Sequence, residues 1–272
     1  MDYLIIDKTL HCGTTGSILW ILQFMNKYIK TNNLNYYDIK NIFIEKKIAG
    51  NFDNIFDDNY DNNVKILIFE DRKNIENVDY NYVYNNDEYK LLAKKICFSE
   101  KIKNVVSNEL INISNNILGV HFRFTDMNSM HTKNKPICYT DYLNTILEYI
   151  KKKNIQDIYV ASDNDESINK LLKEESLKDI KIYHRNIKRY PTEKADKNDL
   201  KWYKNTNKKF PHPYLNNFAH INNPNIHLEC IIDFILLSKC KYLIFPYSNV
   251  SNMALLLSTS IVDKIKISSN GI

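Results

Sequence analysis

The run Ile117-Leu118-Gly119-Val120-His121-Phe122-Arg123-Phe124-Thr125-Asp126 passes from an apolar segment into a cluster holding an imidazole, a guanidinium and a carboxylate. In an α/β protein a buried strand carries polar groups to its C-terminal edge, where ligands bind. Arg123 can fork onto a phosphate with fixed geometry. His121 can donate or accept a hydrogen bond near neutral pH. These residue types in this order point to an enzyme or binding protein for a phosphorylated small molecule.

Three further places carry polar groups next to regular elements. Asp163 ends a second apolar run, where a carboxylate can accept hydrogen bonds from a base or a ribose. Ser162-Asp163-Asn164-Asp165 also opens a helical segment, so capping by Asp163 is the alternative. Tyr247-Ser248-Asn249-Val250-Ser251-Asn252 follows a third run and precedes Met253-Ala254-Leu255-Leu256. Hydroxyls, amides and open backbone N–H groups at a helix start suit a phosphate, and ordinary capping is again the alternative. Gly13 and Gly16 are two of only five glycines and stand together in His11-Cys12-Gly13-Thr14-Thr15-Gly16-Ser17, between a short apolar run and a helical one. A strand, a glycine loop and a helix N-terminus form a candidate anion cradle, or a plain tight turn. The convergence of three strand ends in one sheet favours ligand binding over three unrelated caps.

The elements needed to hold these groups are legible in the hydrophobic pattern. Strands are expected at Tyr3–Ile6, Val64–Phe69, Ile117–Phe122, Asp157–Ala161, Lys181–Tyr183 and Tyr242–Pro246. Helices are expected at Ile18–Met25, Tyr139–Ile150 with Thr140 as N-cap, Glu166–Lys173, His227–Ser238 and Ser251–Ser258. This alternation implies an α/β protein with parallel sheets and helices on both faces. Residues 186–225 carry Pro191, Pro211, Pro213, Pro224 and many charges and read as a long loop. Its Trp202, Tyr203, His212 and Tyr214 offer aromatic faces for a sugar, or anchor the loop to the core. Residues 51–63 are rich in Asp and Asn but lack the glycine turn and closing glutamate of an EF-hand, so they read as a solvated loop. A boundary is expected near residue 112, giving an N-terminal α/β domain over 1–112 and a nucleotide-binding domain over 113–272.

The bulk properties narrow the class. With 272 residues and 44% apolar content the chain can build one or two cored domains. Its 37 basic and 32 acidic residues leave a net charge of +5, without the basic stripe of a nucleic-acid binder. Lys151-Lys152-Lys153 reads as a helix end facing water. The five cysteines, Cys12, Cys97, Cys138, Cys230 and Cys240, are odd in number and widely spaced, which argues against a disulfide framework or a structural zinc site. A reducing, cytoplasmic setting is expected. Neither a leader sequence nor an apolar run of about 20 residues able to span a bilayer is evident.

Three patches resemble the GDP-fucose-dependent fucosyltransferases of the α-1,6 type, which act on nodulation factors and core N-glycans, and more distantly the protein O-fucosyltransferases. His121-Phe122-Arg123-Phe124-Thr125-Asp126 is similar to their H-x-R-R-x-D signature. Ile158-Tyr159-Val160-Ala161-Ser162-Asp163-Asn164 resembles their V-Y-x-A-T-D-D strand end. Asp233 to Ser251 resembles their final segment, with Ser248, Asn249 and Ser251 at its S-S-x-S/T end. Order and spacing fit over residues 117–258, and the Gly13 to Ser17 loop looks like the family's glycine loop.

The resemblance implies a GT-B architecture, with two Rossmann-like domains, a cleft between them, and the donor on the C-terminal domain. It implies an inverting, metal-independent transfer of fucose from GDP-fucose, a donor substrate rather than a cofactor, to a glycan acceptor. By position, Arg123 would bind the β-phosphate and stabilise the leaving GDP. His121 and Asp163 would hold the guanosine, and Ser248, Asn249 and Ser251 the pyrophosphate. Asp126 would orient Arg123 or serve as a structural partner. The chain departs from the pattern at Phe124, where the second arginine stood. His131 stands where the core-type enzymes carry a carboxylate and would be the general base. A transferase for another sugar nucleotide and a non-catalytic nucleotide or glycan binder on the same fold remain the rival expectations. The sequence leaves the acceptor and the oligomeric state open.

Overall fold

A computed structural model of the protein describes residues 1–7, 14–46, 56–69, 83–110, 114–123, 137–187 and 226–267. The first half builds a three-stranded parallel sheet from β1 (Tyr3–Asp7), β2 (Ile42–Lys46) and β3 (Lys65–Phe69), in the order β2-β1-β3. Between β1 and β2 runs α1 (Thr14–Thr31), and α2 (Asp87–Ala93) and α3 (Glu100–Leu110) follow β3. Tyr3 and Ile5 of the central strand turn into the core with Ile42 and Ile44 of β2 and Phe69 of β3. That is the period-two placement a parallel sheet requires.

The second half builds a five-stranded, wholly parallel sheet from β4 (Ile117–Phe122), β5 (Asp157–Ser162), β6 (Lys181–His184), β7 (Tyr242–Pro246) and β8 (Asp263–Ile267), in the order β6-β5-β4-β7-β8. Its helices are α4 (Tyr139–Lys153), α5 (Asp165–Leu172), α6 (Ile226–Lys239) and α7 (Asn249–Leu257). The three inner strands, β4, β5 and β7, are buried on both faces, as expected when helices cover both sides of a parallel sheet, and the edge strands β6 and β8 are partly exposed. Leu118, Val120 and Phe122 face α4 and α5 in one core, with Tyr142, Ile146 and Leu171. Ile117 on the opposite face belongs to a second core, built on Phe234, Leu237 and Met253 of α6 and α7. Gly119 lies on that face too. A Cβ there would sit 2.9 Å from Cys240 Sγ and 3.1 Å from Leu243 Cδ1, so glycine lets the end of α6 close onto the strand.

The second core does not stop at the second sheet. It continues through Leu19, Leu22 and Met25 of α1 and Leu92 of α2 to the first sheet, so α6 and α7 are packed on both sides. All six expected strands are present. Two more escaped the pattern, β2 and β8, which carry Glu45-Lys46 and alternating Asp263, Lys264 and Lys266. The expected Thr140 cap is displaced: Cys138 precedes the first turn of α4, and its backbone N–H donates to Asp141 Oδ2 at 2.8 Å. Lys151 and Lys152 do face water, while Lys153 pairs with Asp263 at 2.9 Å. Of the expected loop 186–225, only residues 186 and 187 lie among the described residues. No helix of the described residues is long and apolar enough to cross a membrane.

Candidate functional site

The chain leaves β4 towards β5 and β6 on one side and later returns to β7 and β8 on the other. Where strand order reverses, neighbouring loops diverge and open a crevice at the C-terminal edge, here between β4 and β7. His121 stands at the end of β4, on the face shared with α7. Ser248 and α7 follow β7. The reversal point is therefore flanked by two of the three strand-end constellations of this sheet singled out in the sequence.

His121 is 3% exposed, and its Nδ1 lies 2.7 Å from Ser251 Oγ, a contact that spans the reversal point. Burial, with the Arg123 charge adding to it, lowers the His121 pKa to about 3. The ring is thus neutral at any physiological pH and works as a hydrogen-bonding group, not as a proton carrier. Ser251 is 0% exposed. Ser248 caps α7, its hydroxyl accepting from Val250 N at 3.2 Å, while Asn249 is exposed at the helix start. The helix begins two residues earlier than the apolar pattern alone implied because this cap is met first.

Phe122 and Ser162 are paired across β4 and β5, so Arg123 and Asp163 stand one position beyond them at the same edge. Arg123 Nε lies 3.4 Å from Asp163 Oδ2, with the two side chains 20% and 11% exposed. The helix that follows is capped by Asn164, which accepts from Ser167 N at 3.1 Å. Capping by Asp163 is thereby excluded, and its carboxylate is directed to the arginine instead. Tyr142 from α4 packs its ring edge-on against Phe122 at 4.8 Å beneath this pair. Burial first, and the nearby Asp163 next, push its phenol up, so it remains an un-ionised hydroxyl.

Gly16 is buried within the first turn of α1, and Gly13 lies outside the described residues. Asp126, Phe124 and His131 also lie outside them, as do Trp202, Tyr203, His212 and Tyr214. Among the described residues no group of three or more His, Cys, Asp or Glu is arranged to hold a metal ion.

The motifs singled out for function did not include a second polar cluster on the same face of the sheet. Arg185, one residue past β6, is 6% exposed. Its Nη1 pairs with the Glu229 carboxylate of α6 and lies 3.7 Å from Asp233 Oδ1, and its Nε lies 3.7 Å from Glu109 Oε1 of α3. Tyr159 of β5 donates to Asp233 Oδ1 at 3.0 Å. A legible signal existed: Glu229 and Asp233 are one helical turn apart in a largely apolar helix, which aligns two carboxylates on one face.

No family model matches the chain, and no curated protein sequence matches it either. Solved structures do. The fucosyltransferase NodZ from Bradyrhizobium superposes with a TM-score of 0.53 at 13% identity, over 100% of this chain and 96% of that one. NodZ α-1,6-fucosyltransferase soaked with GDP-fucose gives 0.51 at 13% identity, over 95% and 93% of the two chains. The chain has this fold. It is the GT-B-like arrangement of parallel α/β units expected above. POFUT1 in complex with GDP-fucose reaches a TM-score of 0.44, and the fold assignment rests on the NodZ structures alone.

Proposed function

We propose that the protein is an inverting glycosyltransferase that moves fucose from GDP-fucose to a hydroxyl of a glycan acceptor. The observation that carries this reading is the meeting of His121, Arg123–Asp163 and the capped N-terminus of α7 around the reversal point of the five-stranded sheet. The NodZ fold, known with GDP-fucose soaked into it, supports the same ligand class. Residues 113–272 take the nucleotide and residues 1–112 form the acceptor side.

In this reading the nucleotide lies along the β4–β7 crevice. Its phosphates meet the N–H groups at the start of α7 beside Ser248 and Asn249, where the helix dipole favours negative charge. His121 and Asp163 hold the nucleoside. As the bond between the anomeric carbon and the β-phosphate oxygen breaks, the electron pair goes to the departing diphosphate, and Arg123 balances that charge. Fixed donors in such a role lower the barrier by about 3–4 kcal/mol. The acceptor oxygen attacks from the opposite face and its proton passes to His131, with Asp126 orienting Arg123.

The test is calorimetric titration with GDP, UDP, ADP and GDP-fucose without added metal. Binding of GDP over UDP and ADP, lost in Arg123→Ala, together with transfer or hydrolysis of GDP-fucose, is the expected result. Failure to bind any guanine nucleotide would overturn the donor assignment. Binding without turnover would instead favour the non-catalytic reading that Phe124 motivates.

A further inference from the structure

Ser251 resembles a pyrophosphate-binding residue in sequence, yet its side chain is sealed from solvent and its hydroxyl meets the ring of His121. We propose that Ser251 is a positioning residue: by donating its hydroxyl proton to Nδ1 it holds His121 as the Nε2–H tautomer, so that the crevice is offered a fixed, neutral hydrogen-bond donor.

The argument is one of proton counting. A neutral imidazole carries a single N–H, and a serine hydroxyl carries a single O–H. Across the 2.7 Å contact only one of the two can be the donor. If Nδ1–H donated to Oγ, the serine proton would need an acceptor elsewhere, and among the described residues its one side-chain hydrogen bond is to His121. A hydroxyl proton left without an acceptor in a fully buried place is strongly disfavoured. If Oγ–H donates to Nδ1, the sealed hydroxyl proton is used and the ring proton moves to Nε2, which among the described residues is not one of the fully buried side-chain atoms left without a partner. The contact ties the last residues of β4 to the first turn of α7, so the tautomer is set by the same two elements that flank the crevice.

The consequence for ligands follows from the sign of the hydrogen bond. A ring offering Nε2–H favours an acceptor atom, such as a carbonyl, ring-nitrogen or phosphate oxygen lone pair, and repels an amino or ammonium group. Because the arrangement is neutral, it adds selectivity without adding charge beside Arg123. This ligand consequence rests on the nucleotide reading above, whereas the tautomer itself does not.

The experiment is long-range 15N–1H NMR of the seven histidines in the full chain, with the His121 signals assigned by their loss in His121→Gln. The wild type is expected to show Nε2 protonated and Nδ1 accepting. Ser251→Ala is expected to populate the other tautomer and to weaken GDP binding roughly tenfold. Ser251→Thr keeps the hydroxyl and is expected to restore the wild-type tautomer. Protonated Nδ1 in the wild type would overturn the proposal, and so would an unchanged Nε2–H ring in Ser251→Ala. If the NMR results hold and GDP does not bind the wild type, the nucleotide reading falls and the Ser251 assignment stands.

Discussion

Two arginines leave the second sheet at its C-terminal edge, and they are used in opposite ways. Arg185 is almost fully enclosed, with the carboxylates of Glu229, Asp233 and Glu109 around its guanidinium. Arg123 keeps more of its surface and is braced at Nε by Asp163. The first cluster joins α3, α6 and the strands as a structural tie. The second stands beside a helix N-terminus at the reversal of strand order. The same side chain is therefore scaffold in one place and a candidate ligand contact in the other. What separates the two is enclosure and topology, not residue type.

The contrast can be broken most directly at Arg185. Arg185→Ala strands Glu229 and Asp233 without their cation in the interior, and such a loss costs about 3–5 kcal/mol. Chemical denaturation is expected to show it as a lower midpoint, with aggregation or failure to express at the extreme. Arg123→Ala is expected to give the opposite pattern. Its pair with Asp163, in which the arginine keeps 20% of its side-chain surface against 6% for Arg185, is expected to contribute less to stability than the Arg185 cluster. Turnover of the donor is expected to fall by about 10²–10³. If both variants lose stability and neither selectively loses binding, the distinction between them fails. Tyr159→Phe sharpens the scaffold side. It deletes one donor to Asp233 and is expected to cost about 1 kcal/mol, leaving donor affinity unchanged.

The ligand side also carries a pH dependence of its own. Burial, reinforced by Arg123, lowers the His121 pKa from 6.5 to about 3. Below pH 6.5 the unfolded chain binds a proton that the folded chain refuses, so stability falls as pH drops from about 6.5 towards about 3 and is fully present above that window. The stability difference between pH 7.5 and pH 5 is expected to be smaller in His121→Gln than in the wild type. Nucleotide affinity should not carry a His121 titration between pH 5.5 and 8.

Much of this was legible in the sequence, for identifiable reasons. Ile117–Phe122 and Tyr242–Pro246 are continuous apolar runs, and both strands appear with those bounds. The residues that follow them were recognisable because a buried parallel strand delivers its polar neighbours to the C-terminal edge of the sheet, where ligands bind. Strand β8 escaped because Lys264 and Lys266 break its run, and they are accommodated at the sheet edge, where Lys264 lies over the Tyr84 ring and Lys266 over that of Tyr247. The choice between cap and ligand contact at Asp163 could not be made from residue types, since Asp163 and Asn164 are equally good caps. Backbone geometry decides it in favour of Asn164. The Ser251–His121 bond joins residues 130 positions apart and is invisible to any local pattern.

The core running from β1 through α1, α6 and α7 to β4 has a consequence for how the protein melts. Helices packed on both sides cannot lose one neighbour without exposing apolar surface to water. Residues 1–112 and 113–272 are thus expected to share a single calorimetric transition, and a cut at residue 112 to leave two aggregating fragments. A nucleotide bound at the β4–β7 edge would then slow amide exchange in β1 as well, because the two sheets open together or not at all.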